Sequence, residues 1–97
     1  MKTYILTEHA TRRFISRSKA LGYQVPPNIE KTLQKLLRSA TEETVSPMHR
    51  TLRLINNHYK DATYLINSGW RFVISDDGIT VITIERVSPL QNYKGDA

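Results

Sequence analysis

The stretch YLINSGWRFVISDDGITVITIERV, Tyr64 to Val87, decides the fold. Its β-branched and aromatic residues come in runs broken by Ser68–Gly69 and by Asp76–Gly78. Such runs fit the pleated, half-buried surface of a sheet, and short Gly-containing turns fold one run back on the next. The stretch therefore predicts antiparallel strands joined by hairpins. Its last run, ITVITIERV, is the most apolar, as a central or fully covered strand is. Upstream, YKDATYLIN supplies the strand entering the first hairpin, and RTLRLI (Arg50–Ile55) predicts one more, giving a four-stranded meander within residues 50–88. Pro89 ends the pattern, and the polar LQNYKGDA that follows carries none, as a frayed tail would.

The N-terminal half follows a helical period. Thr7 is a good N-cap, Glu8 favours the positive end of a helix, and the periodic residues run to Leu21 before Gly22 stops them, which predicts a helix over residues 8–21. QVPPN then breaks the chain, because each proline disfavours helix at the residue before it, and Asn28 can cap a second helix over residues 29–40. Ile29, Leu33, Leu36, Leu37 and Ala40 form its apolar face, with Lys31, Gln34, Lys35 and Arg38 outside. Two helices followed by four strands is an α+β layer fold, and 97 residues are enough for one core but not two, so residues 1–97 are expected to form one domain.

With no cysteine, disulfides, thiolate metal sites and thiol nucleophiles are excluded. The first residues hold only a three-residue apolar run, too short for a signal peptide or a membrane span, so a cytoplasmic protein without a membrane partner is expected. His9, His49 and His58 are far apart and show no ligand spacing; neither metal nor cofactor is expected. The net charge of +5 is unevenly spread. Residues 1–24 carry Lys2, Arg12, Arg13, Arg17 and Lys19 against Glu8, and Arg50, Arg53 and Lys60 form a second basic group. This polarity suits a polyanion or an acidic protein surface, while ordinary solubility explains it equally.

Within the first helix, His9, Arg13 and Arg17 recur every four residues, so they stack in a stripe about 12 Å long. With His9 at zero and about 100° per residue, the arginines fall at about 40° and 80° and Phe14 at about 140°, which places the stripe along the rim of the apolar face. Like charges at this spacing repel, so the row costs some helix stability unless a ligand neutralises it. A structural reading has the arginines paired with acids of the sheet and their stems laid on apolar surface. A functional reading sets a proton-transfer group beside two forked cations, which is the chemistry that cleavage of an RNA phosphodiester needs.

The sequence TEHATRRFISRSKALGY, followed by a second helix and the strands from Tyr64, resembles small bacterial domains with a His-Ala-x-x-Arg-x-x-x-Arg helix and a closing strand of the form apolar-Thr-apolar. These are grouped with the RelE-like toxins and, more widely, with the barnase, EndoU and colicin RNases. The resemblance runs over residues 4–88 as an order of elements and rests on His9, Ala10, Arg13, Arg17 and Thr83 as matched residues. It implies a RelE-like α+β fold and a metal-independent endoribonuclease, of the mRNA interferase kind, with His9 and Arg13 as active groups and Thr83 facing them from the sheet. Arg17 would help to hold the scissile phosphate, and an antitoxin would be the protein partner. In this chain Arg-Ser-Lys-Ala-Leu-Gly, Arg17–Gly22, replaces the short Arg-Gly-Ile turn of many relatives, lengthening the helix.

Thr83 also has an ordinary reading: it alternates with Ile82 and Ile84, shares a face with Val81 and Glu85, and packs as strand threonines do. RNA contacts are expected from Arg12, Arg50, Arg53 and Lys60, with Trp70 as a base-stacking platform or as a cover for the core edge. Two alternatives remain open: a non-catalytic module binding an acidic protein, and an inactive relative that binds RNA without cleaving it.

Overall fold

The computed structural model describes residues 3–43, Met48, Leu52 and 62–87. Its elements in chain order are β1 (Ile5–Leu6), α1 (Glu8–Ala20), α2 (Ile29–Arg38), β2 (Thr41–Glu42), β3 (Thr63–Asn67), β4 (Trp70–Ile74) and β5 (Thr80–Arg86). The fold is α+β, but among the described residues the sheet has five strands in the order β1-β5-β4-β3-β2, and it is mixed because β1 runs parallel to β5. This corrects the expected four antiparallel strands. The two added strands are only two residues long, so neither carries a legible period. Of the expected strand at Arg50–Ile55, Leu52 alone is described, and it is helical.

The hairpins follow from their turns. Ser68 and Gly69 both take positive φ, 54° and 82°, the backbone of a type I′ connection whose twist matches the strands it joins. At the second hairpin, the Asp77 carboxylate accepts from the N–H groups of Ile79 and Thr80 and from the hydroxyls of Ser75 and Thr80. These bonds, first those of the Thr80 and Ser75 hydroxyls, hold the Asp77 carboxyl well below the usual carboxylate range.

Between β4 and β5 the register shifts: Val73 opposes Thr83, whereas Ile74 opposes Val81, leaving Ile82 as an extra residue. Val81 and Ile84, three apart, therefore both point into the core, and Ile82 is 42% exposed. Helices α1 and α2 cover this one face. Ala10 and Phe14 from α1 and Leu33 and Leu37 from α2 pack with Trp70, Phe72, Ile74, Val81 and Ile84. Each such large side chain contributes about 1.5–3 kcal/mol on burial.

The helix ends fall where their capping residues put them. The Thr7 hydroxyl accepts from Ala10 N–H at 3.1 Å, and the Asn28 side chain accepts from Lys31 N–H at 3.0 Å. Helix α1 closes with Gly22 at φ 76°, Gly22 N–H donating to Lys19 O and Tyr23 N–H to Ser18 O, a Schellman arrangement. Gln34, expected outside, is buried: its amide accepts from Tyr4 N–H at 3.0 Å and donates to Tyr4 O at 2.6 Å, holding the chain as it enters β1. No helix among the described residues is long and apolar enough to cross a membrane.

Candidate functional site

Helix α1 is fixed to β5 at its first turn. Besides capping the helix, the Thr7 hydroxyl donates to Val81 O at 2.8 Å, immediately before the extra residue Ile82. With Ala10, Phe14 and Ser18 buried, the helical period turns His9, Arg13 and Arg17 outward, and all three are exposed. Among the described residues the side chain of none of the three makes a hydrogen bond or an ion pair. The structural reading, in which sheet acids pair with these arginines, therefore finds no support in the described contacts. Arg12 differs: it is ion-paired with Glu8 one turn before it. Among the described residues the stripe is thus an uncompensated row, able to donate hydrogen bonds to successive anionic groups.

Thr83 is not brought to this row. In register with Val73, and adjacent to the inward-facing Ile84, it points to the sheet face opposite the helices. The extra residue at Ile82 also separates it from Val81, with which plain alternation would group it. Glu85, paired with Arg71, and Tyr64, paired with Val73, lie on the same far face. The thickness of the sheet therefore stands between His9 and each of these groups.

Trp70 is only 6% exposed, with its ring 4.9 Å from that of Phe14, so it covers the core and offers no platform to a ligand. Arg50, Arg53 and Lys60 lie outside the described residues, as do His49 and His58. Among the described residues no group of three His, Cys, Asp or Glu is placed to hold a metal ion.

Two clusters escaped the sequence reading. On the far face, Arg71 donates to Glu85 at 3.0 Å and to Glu43 at 2.8 Å, with side-chain exposures of 18% for Arg71 and 14% for Glu43. Burial opposes the charge on Arg71, and the hydrogen bonds to Glu43 and then Glu85, with their Coulombic attraction, outweigh it and raise its pKa. The Arg71–Glu85 half was open to cross-strand pairing once the register was known; Glu43 comes from a distant, polar segment. On the helix face, Arg86 stands over the rings of Trp70 and Tyr23, 5.0 and 5.5 Å from their centroids.

No protein-family model, curated protein or solved structure matches the chain.

Proposed function

We propose that the chain is an RNA-binding domain that lays a single strand along α1, with Arg13 and Arg17 on phosphates and His9 at the N-terminal end of the track. The observation that carries this reading is the row itself: three exposed groups at helical repeats of four, two of them permanent cations, with no partner among the described residues. Maintaining like charges in one row costs helix stability, and a polyanion removes that cost. The resemblance to RelE-like domains points to the same class of ligand.

For cleavage, His9 is the proton-transfer group in this reading. A second acid or base is needed to complete general acid–base catalysis, and Thr83, Glu85 and Tyr64 stand on the other side of the sheet. Binding is therefore the activity the geometry supports best. The test is incubation of the purified protein with mixed RNA in chelator, followed by affinity measurement and end-group analysis, for wild type and His9→Gln. Binding without new ends in either protein supports the binding domain. Cleavage by wild type that falls by about two to four orders of magnitude in His9→Gln, with affinity kept, makes the domain a ribonuclease. Failure to bind RNA, together with capture of an acidic protein such as an antitoxin, replaces the RNA reading with that of a protein-interaction module.

A further inference from the structure

We propose that Tyr23 is a stacking platform for an unpaired base at the C-terminal end of α1; this rests on the RNA-binding reading above. Tyr23 follows the Schellman closure directly, and its N–H is bound to Ser18 O at 2.8 Å. Its ring has the Arg86 guanidinium 5.5 Å from the centroid, and its hydroxyl accepts from Arg86 Nη2 at 3.3 Å. Arg86 is itself immobilised: it lies over Trp70 and donates from Nη1 to Ser68 O at 3.0 Å. Gly69 leaves room for it, since a Cβ at that position would stand 2.8 Å from Arg86 Cζ. The outcome is an aromatic ring fixed at its backbone, one face and its hydroxyl, yet 48% exposed.

Such a ring loses little freedom on binding, which is what makes tyrosine an efficient contact residue. It lies just past the last turn of α1, the turn that carries Arg17 at the end of the basic row. A strand whose phosphates follow Arg13 and Arg17 towards the end of α1 meets a half-exposed aromatic ring there, and every nucleobase has a π-face to offer it. A base paired inside a duplex cannot reach that face, so the ligand is single-stranded.

Fluorescence anisotropy with labelled oligoadenylate, and with an abasic ribose-phosphate oligomer of equal length, tests this on wild type, Tyr23→Ala and Tyr23→Phe. Tyr23→Ala should weaken oligoadenylate binding by about 5- to 150-fold and leave the abasic oligomer unchanged, while Tyr23→Phe stays close to wild type. Equal oligoadenylate affinity in wild type and Tyr23→Ala overturns the platform and leaves the arginine row standing. Equal weakening towards both oligomers also overturns it, since the effect would then pass through the fold or through Arg86. Wild type that binds neither oligomer overturns both the platform and the reading beneath it. Photocrosslinking of wild type to a 4-thiouridine oligomer needs no variant: cross-links at Tyr23 support the platform, and cross-links confined to other segments contradict it.

Discussion

The Thr7 hydroxyl and the Val81 carbonyl are hydrogen-bonded at 2.8 Å, across 74 residues of chain, while the same hydroxyl caps α1 by accepting from Ala10 N–H. One side chain therefore sets both where the helix starts and how its basic row is rotated over β5. Thr7→Ala should cost about 1–2 kcal/mol, and Thr7→Ser should recover most of it because the hydroxyl remains. In a domain of this size that is a fall in melting midpoint of about 5–15 °C, readable by circular dichroism. Equal midpoints for Thr7→Ala and wild type would remove this role.

The Arg71 cluster yields a second expectation. Removing the cation leaves Glu43 and Glu85 facing each other's charge on a largely buried surface, so Arg71→Met should destabilise by about 2–3 kcal/mol, somewhat below the cost for fully buried pairs because Glu85 is 41% exposed. Pairing Arg71→Met with Glu43→Leu should restore part of the loss. Urea denaturation of the single and double variants measures both. A double variant less stable than Arg71→Met alone would contradict the account.

Acid separates the turn carboxylate from the rest. The folded state holds the Asp77 carboxyl below its unfolded value, so its contribution is complete above the unfolded pKa, near 4, and is lost as pH falls from there towards the folded value. The difference in melting midpoint between wild type and Asp77→Asn should therefore be constant from neutral pH down to about 5 and narrow below about 4. A difference that widens in acid would show the sign to be reversed.

Much of this was legible in the sequence for physical reasons that also mark where legibility stopped. Strands β3, β4 and β5 are long enough to show their composition and are separated by turn residues whose backbone demands are specific, and both helices carry their own caps. β1 and β2 are recruited by the edges of an existing sheet, and two residues hold no period. Alternation failed at Ile82, where one extra residue resets the faces: Val81 points inward and Thr83 outward, so the threonine expected beside His9 stands on the other side of the sheet. The row on α1 was legible because helical periodicity fixes it locally. The burial of Trp70 was not, because burial of a ring depends on what distant parts of the chain place against it.

The most direct measurement of the central claim is the salt dependence of affinity for a short single-stranded RNA, compared between wild type and the double variant Arg13→Ala/Arg17→Ala. If both arginines neutralise phosphates, wild-type affinity falls linearly on a log–log plot as salt rises, and the double variant shows a slope shallower by about 1.4, or about 0.7 for each phosphate no longer neutralised. Its melting midpoint should equal or exceed that of wild type, because a repulsive pair has been removed. Parallel salt plots with equal affinity for the two proteins would contradict the claim that α1 is the RNA-binding surface.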